Sequence, residues 1–110
     1  MGAFTYENVQ GALSELVGRR IEVVEKRETG CYSHLLIKTY DRWSALVDGA
    51  RFAVSPNFDR AEGAVVSDVT RGSEAGRDIV KIHVFGFKDA FDLVFCDGES
   101  EIDDVKVYWP

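Results

Sequence analysis

The spacing of apolar residues changes at Gly18 and divides the chain into a short helical start and a longer β region. The first part predicts a helix over about residues 6–17, because glycine commonly follows the last turn of a helix. Its apolar residues recur at the spacing of one helical face: Val9, Leu13, Leu16 and Val17. Gly11 within this stretch lowers intrinsic helix propensity, so we expect the helix to depend on packing against a sheet.

Beyond Gly18, apolar and polar residues alternate in about seven short segments over residues 19–109, the period of half-buried β-strands. The connections are short, so neighbouring strands are predicted to be antiparallel. Asp97-Gly98 is a typical hairpin turn pair, and the polar run 71–78 is predicted to be a mobile loop. The aligned apolar residues give the predicted core: Ile21, Val23, Leu35, Ile37, Val80, Ile82, Val84, Phe91, Leu93, Phe95, Val105, Val107 and Trp109.

These patterns predict an α+β fold that is mostly β, with one N-terminal helix followed by an antiparallel meander of about seven strands. So many strands with one apolar face each are expected to form a strongly bent sheet or a small open barrel. A length of 110 residues without a linker or repeat predicts a single domain over 1–110. No apolar run is long enough to span a membrane, and no secretion signal is recognisable, so a cytoplasmic location is expected.

The segment Leu13–Val23 resembles the start of Sm-like RNA-binding proteins, which also place a short helix before a small bent β-barrel. The resemblance covers the first part of the chain, and later residues depart from it. Residues 43–48, WSALVD, lack the Asp-x-x-Asn-Leu character of the base-binding loop, and Gly86 follows Phe85 where an Arg-Gly pair is the family pattern. The resemblance therefore implies a shape only, and no binding site is carried over from it.

The charge of the chain is concentrated at one end. The formal net charge is -6, from 13 basic and 19 acidic residues, and residues 92–110 hold one of the bases and six of the acids. An acidic cluster repels phosphate backbones, so direct nucleic-acid binding is not expected. The same cluster attracts a basic protein surface. The predicted partner-binding acids are Asp97, Glu99, Glu101, Asp103 and Asp104, with a solvated loop as the alternative interpretation.

Two aromatic residues complete the predicted partner-binding site. Tyr40 and Trp43 do not fit the alternation of the core, and Arg42 lies between them. Tyrosine, tryptophan and arginine are enriched where protein interfaces are energetically strongest. We therefore expect Tyr40 and Trp43 to be partly exposed and to contact a partner, or else to cover a second apolar cluster on the back of the sheet. Phe58, Phe87 and Tyr108 also do not fit the alternation, and some of these aromatic residues are expected to be partly exposed.

Candidate chemistry is sparse. Cys31 and Cys96 match no metal or redox spacing, and both are expected to be reduced thiols. His34 and His83 are predicted on sheet faces opposite the core, and no metal or cofactor is expected. The acids near 97–103 do not follow a calcium-loop pattern. An enzyme would need a site between the sheet and residues 71–78, where only Cys31, His34, His83 and scattered carboxylates could serve, so we expect that the chain is not an enzyme.

The sequence therefore favours a small acidic protein-binding domain, such as an inhibitor or immunity-type protein that masks a basic surface on a partner. The alternative is a self-associating β-barrel module of a larger assembly, Sm-like in shape only. The two differ in the partner, which is another protein in the first case and further copies of the chain in the second.

Overall fold

A computed structural model describes the backbone at residues 6–29, 32–50, 52–95 and 102–108, and side chains at 9–28, 33–48 and 52–94. Helix α1 spans Tyr6–Leu13 and is followed by a 3-10 helix at Ser14–Leu16; a second 3-10 helix spans Phe58–Ala61. The eight strands are β1 (Ile21–Thr29), β2 (Tyr32–Thr39), β3 (Ser44–Ala50), β4 (Phe52–Val54), β5 (Val66–Glu74), β6 (Arg77–Val84), β7 (Phe91–Phe95) and β8 (Ile102–Tyr108).

The strands form two antiparallel sheets of four strands each. The first sheet has the order β1-β2-β3-β8 and the second has the order β4-β7-β6-β5. The prediction of a mostly β fold with one N-terminal helix is confirmed. The sheets are not closed, and the single meander is wrong, because the chain changes sheets between β3 and β4 and again between β7 and β8.

The change of sheet between β7 and β8 overturns the predicted hairpin at Asp97-Gly98. Phe91–Phe95 pairs with β4 and β6, whereas Ile102–Tyr108 pairs with β3. Two strands joined by a short connection are antiparallel neighbours only when both belong to the same sheet. The turn residues themselves lie outside the described part of the chain.

The predicted loop at 71–78 is instead the end of a regular hairpin. Strands β5 and β6 pair as far as Glu74 and Arg77, leaving Ala75 and Gly76 as a two-residue turn. Both turn residues have positive φ, at 53° and 77°, as in the primed turns whose twist matches that of the flanking strands. The polar composition of this segment therefore reflects an exposed hairpin.

The helical region is shorter than predicted. It ends at Leu16, and Gly18 follows with a φ of 86°. Val17 is outside the helix and is 43% exposed, so the prediction that Val17 lies on the buried face is wrong. The buried face consists of Val9, Leu13 and Leu16, each fully buried. Helix α1 contacts strands of both sheets, which agrees with a helix held in place by packing.

The predicted core is largely confirmed where side chains are described, with one error in β1. A register shift between Ile21 and Val23 moves Val24 to the inner face and leaves Val23 half-buried. Such a bulge adds one residue to one strand and reverses the facing of the residues that follow. The other confirmed core residues are Leu35, Ile37, Val80, Ile82, Val84, Phe91 and Leu93. The predicted core side chains from Phe95 onward lie outside the described set.

Contacts with the segment between β4 and β5 cover part of the free edge of β1. The Val24 N–H donates to Oε2 of Glu62 at 2.8 Å, and the Lys26 ammonium donates to the carbonyl oxygens of Ser55 and Pro56. Unpaired backbone groups on an edge strand otherwise pair with other chains. The N–H of Val24 is thus satisfied within the molecule. Within the described residues no helix is long and apolar enough to cross a membrane.

Candidate partner-binding site

The two sheets meet along the start of β1, where one isolated bridge joins them. Arg20, just before β1, pairs with Val65, just before β5. On one side the Tyr40 N–H donates to the carbonyl of Arg20, and on the other the Phe85 N–H donates to the carbonyl of Val65. Four residues, each next to the end of one of the neighbouring strands β2, β1, β5 and β6, thus stand in one register row. We call Tyr40, Arg20, Val65 and Phe85 the joint row.

The joint row faces away from the core. Paired residues of antiparallel strands share a face, and adjacent residues along a strand point to opposite faces. The neighbours of the row along the chain include Thr39, Ile21, Val66 and Val84, all at most 3% exposed. The row itself is therefore on the outer surface, and its two aromatic ends are 61% exposed at Tyr40 and 66% exposed at Phe85.

The joint row is long enough to contact another macromolecule. Neighbouring strands are about 4.8 Å apart, so three spacings separate the α-carbons of Tyr40 and Phe85 by roughly 14 Å. Arg20 is exposed between them, and its Nη1 donates to the carbonyl of Gly63 at 2.6 Å, which directs the side chain across the sheet joint. Two large rings flanking an arginine match the composition of interface hot spots.

Phe87, which follows the end of β6, is a further exposed aromatic residue. It is 45% exposed, and its ring meets that of buried Phe91 edge-on with centroids 5.7 Å apart. Phe91 in turn lies 5.2 Å from the fully buried ring of Phe58. This run of three rings leads from the core to the surface, so Phe87 is held by the core on one side and exposed on the other. Of the aromatic residues that do not fit the alternation, Phe87 is therefore exposed and Phe58 is buried.

The turn that carries Tyr40 is fixed by a network around Asp41. The Asp41 carboxylate accepts hydrogen bonds from the Thr39 hydroxyl and the Arg19 guanidinium. The Thr39 hydrogen bond, supported by that of Arg19 and by its positive charge, holds the pKa of Asp41 below its ordinary value. The Trp43 N–H donates to Oγ1 of Thr39 at 3.0 Å, which closes the turn. Tyr40 therefore projects from a turn that is held by hydrogen bonds on both sides.

Tyr40 and Trp43, the two predicted aromatic contact residues, differ sharply in exposure. Tyr40 is exposed as expected, but Trp43 is only 3% exposed and lies beneath the Arg19 guanidinium. The structure thus buries Trp43 and gives it a role in supporting the turn, because its position after the turn directs it inward. Sequence reasoning missed Arg20, Val65 and Phe85. The exposure of Phe85 could have been predicted from the sequence. Val80, Ile82 and Val84 alternate on the inner face, so the next residue falls on the outer face.

The predicted acidic site is described only in part. Asp97, Glu99 and Glu101 lie outside the described residues. Asp103 and Asp104 lie on β8, where the backbone is described and the side chains are not. Asp104 is the register partner of Asp48 on β3, and Asp48 is the register partner of His34 on β2. His34 Nδ1 and Asp48 Oδ1 are 3.6 Å apart.

The residues considered for catalysis or metal binding do not come together. His34 is on β2 of the first sheet, whereas His83 is on β6 of the second sheet and shares a 2.9 Å hydrogen bond with the Thr70 hydroxyl. The Ser33 hydroxyl is buried and donates to the carbonyl of Phe52, away from His34. Among the residues with described side chains, no group of three His, Cys, Asp or Glu could hold a metal ion. Cys31 and Cys96 lie outside the described residues.

A small cleft lies between the end of β1 and β4. Its volume is about 270 Å³, and it is lined by Lys26, Glu28, Val54 and Pro56. The Lys26 ammonium is already bonded to two backbone carbonyls at this position. The charged group of the cleft is thus already bonded within the molecule. The joint row is therefore the better candidate for a binding surface.

Comparison of the chain with protein-family models, with curated proteins and with solved structures gave no match. Function therefore has to be inferred from the site itself.

Proposed function

We propose that this chain is a protein-binding domain that contacts its partner through the joint row. The supporting observation is the exposure of Tyr40 and Phe85 on one row, with Arg20 between them. Two aromatic rings left in water on a sheet surface lose a favourable burial, which a protein partner would restore. Cytoplasmic location and action as a small acidic protein belong to the same proposal.

The acidic segment supplies the second part of the proposal. Residues 92–110 carry a net charge of -5, from six acids and Lys106. We infer that Asp97, Glu99, Glu101, Asp103 and Asp104 meet a basic surface of the partner, as an inhibitor or immunity-type protein would. Attraction of this kind speeds docking and weakens as salt is added, because ions screen charges beyond about 8 Å at physiological ionic strength.

The test is affinity capture with the full tagged chain, comparing wild type with the double variant Tyr40→Ala and Phe85→Ala. Truncating a hot-spot residue costs about 2 kcal/mol or more, so we expect each substitution to weaken binding by about 30-fold or more. The control variant carries Glu25→Ala and Arg77→Ala, two exposed positions away from the row. Captured proteins are identified by mass spectrometry and must be retained by wild type and control alike.

Two results would reject the proposal. One is equal capture by the wild type and the Tyr40/Phe85 variant, with both folded as judged by circular dichroism and urea midpoint. The other is loss of capture after nuclease treatment, which would mean that the exposed rings stack on a single-stranded nucleic acid. The net charge of -6 argues against that second occupant.

A further inference from the structure

We propose that two copies of this chain associate face to face through the outer side of the first sheet, with β2 of each copy over β3 of the other. This surface is separate from the joint row, so the proposal does not depend on the proposed function. Two observations support it: a pair of leucines lies outside the core, and the polar residues around them match a rotated copy of the same surface.

Leu36 on β2 and Leu46 on β3 form an apolar pair on the outer face of the first sheet. They are register partners, and their chain neighbours, residues 35, 37, 45 and 47, are at most 1% exposed. Adjacent residues of a strand point to opposite faces, so both leucines point outward. Among the described residues, the half-buried apolar side chain that packs against the core is that of Ala64, and both leucines are half-buried outside it. The solvated face of an antiparallel sheet is ordinarily polar, so an apolar pair there favours a contact.

Polar residues flank the leucine pair in both directions along the strands. His34 and Asp48 are register partners two residues away on one side, and Lys38 and Ser44 are register partners two residues away on the other. His34 Nδ1 lies 3.6 Å from Asp48 Oδ1. On this face β2 therefore carries nitrogen-bearing side chains on either side of its leucine, and β3 carries oxygen-bearing side chains on either side of its own.

A two-fold axis that runs parallel to the strands, between β2 and β3, makes this surface complementary to itself. Such an axis places each residue of β2 over the register partner of that residue in the second copy. Leucine then faces leucine, and each nitrogen-bearing side chain faces an oxygen-bearing one: His34 over Asp48, Leu36 over Leu46 and Lys38 over Ser44. Stacked sheets lie about 10 Å apart and cross at about 30°, so the fit is closest at the central leucine row.

Other two-fold arrangements of the same face are less favourable. An axis along β2 would place Lys38 over Lys38 of the second copy. An axis across the strands at the leucine row would place His34 over Lys38 and would leave Asp48 over Ser44. Like charges that meet at an interface oppose association, whereas charges of opposite sign fix its register. The axis between β2 and β3 is therefore the arrangement that the side chains favour.

The charged residues of β1 lie at the rim of this contact. Glu25 and Arg27 are the register partners of Leu36 and His34, one strand further from the axis, and Glu22 lies in the bulge of β1. Acids and bases are thus interspersed, and no single sign of charge opposes the approach of a second copy. A contact centred on two strands is small beside a standard interface, so we expect weak association.

Sedimentation equilibrium of the purified full chain, at concentrations up to about 1 mM, tests the proposal. We expect a reversible dimer that does not grow further, because a two-fold contact uses the same surface on both copies. Leu36→Lys places a charge in the apolar centre and should weaken dimerisation by about 30-fold or more. The matched control is Ala53→Lys, which introduces the same charge at an exposed position on β4 of the second sheet. It should dimerise as the wild type does.

Mixtures of variants test the register of the contact. Leu36→Lys and Leu46→Glu should each dimerise poorly alone. An equal mixture of the two should dimerise, because the introduced lysine of one copy faces the introduced glutamate of the other. Leu36→Lys mixed with Leu36→Glu should stay monomeric, because these two positions do not face each other. Circular dichroism and urea unfolding check that each variant folds. If a charged variant does not fold, Leu36→Thr and Leu46→Thr replace it, and each should weaken dimerisation.

Four results would overturn the proposal. The first is a wild type that is monomeric throughout, and the second is a Leu36 variant that dimerises as well as the wild type. The third is a mixture of Leu36→Lys and Leu46→Glu that stays monomeric, and the fourth is loss of the dimer in Ala53→Lys.

The joint row provides a separate control. The double variant Tyr40→Ala and Phe85→Ala should still dimerise, and a monomer would mean that the first sheet is not the contact surface. Capture of a different protein through the joint row should be the same for Leu36→Lys and the wild type. Failure of the dimer therefore leaves the proposed function standing, and failure of capture leaves the dimer standing.

Discussion

The guanidinium carbon of Arg19 lies 3.8 Å from the centroid of the Trp43 ring. The same guanidinium is paired with the Asp41 carboxylate, so one side chain covers the indole and holds the turn that presents Tyr40. Trp43 is thereby removed from the surface on which the sequence had placed it. The exposed corner of the joint row depends on this stacked arginine.

Removing the stacked arginine should destabilise the fold and expose the indole. A cation–π contact with a partly exposed cation is worth about 0.5–1 kcal/mol, so Arg19→Ala should lower the free energy of unfolding by about 1 kcal/mol. Lysine lacks the planar guanidinium, so Arg19→Lys should recover less than half of the loss. Urea unfolding measures both values. Tryptophan fluorescence in a Trp109→Phe background should shift to longer wavelength in Arg19→Ala. Full recovery by lysine would contradict the stacking interpretation.

The Asp41 carboxylate should titrate below the ordinary range of an aspartate. The Thr39 hydroxyl and the Arg19 guanidinium favour its charged form, which lowers its pKa in the folded state. A lowered folded pKa means that its contribution to stability is present at neutral pH and is lost as the pH falls through the folded pKa. Carboxyl-carbon NMR should show the low midpoint in the wild type. Thr39→Val should raise the midpoint most, and an unchanged midpoint would contradict the assignment.

The β5–β6 turn should become more stable when its first residue suits positive φ. Ala75 has a φ of 53°, a conformation that asparagine adopts more readily than alanine, and it precedes Gly76 as in the favoured Asn-Gly turn. Ala75→Asn should raise the free energy of unfolding by about 0.5–1 kcal/mol. The matched variant Gly76→Ala should lower it, because Gly76 has a φ of 77°. A destabilised Ala75→Asn would argue against a primed turn.

Two phenylalanines should respond oppositely to truncation. Phe58 is fully buried against Phe91, so Phe58→Ala should cost about 3–5 kcal/mol of stability. Phe85 is 66% exposed, so Phe85→Ala should change stability by less than about 0.5 kcal/mol. Urea unfolding of the two single variants provides the comparison. A large loss in Phe85→Ala would mean that this ring supports the fold and is not kept for a partner.

Alternation along the strands was sufficient to predict the fold class and most of the inner face. Ile82, Val84 and Leu93 follow the alternation through regular strands, and all are buried. Val23 was misplaced because the bulge after Ile21 reverses the facing of the strand, and the extra residue has no composition that marks it. The sequence did not reveal that the chain passes to the other sheet at β4 and again at β8. A short connection shows which strand follows which along the chain, but it does not show the sheet to which each strand belongs.

The candidate site was predictable at one end only. Tyr40 broke the alternation and proved exposed, and Trp43 broke it equally but was covered by Arg19, a residue 24 positions away in the sequence. The joint row depends on the bridge between Arg20 and Val65. That bridge is a tertiary contact between segments far apart in the chain, which neither local pattern nor charge can indicate.

A photo-cross-linking residue placed at position 85 is the most direct measurement of whether the joint row binds a protein. With benzoylphenylalanine in place of Phe85, irradiation should give a cross-linked band that contains a second polypeptide, and Tyr40→Ala in the same chain should abolish it. The same residue in place of Arg77, on the exposed hairpin of β5 and β6, should give no such band. Equal cross-linking from positions 77 and 85, or none from position 85, would contradict a binding role for the row.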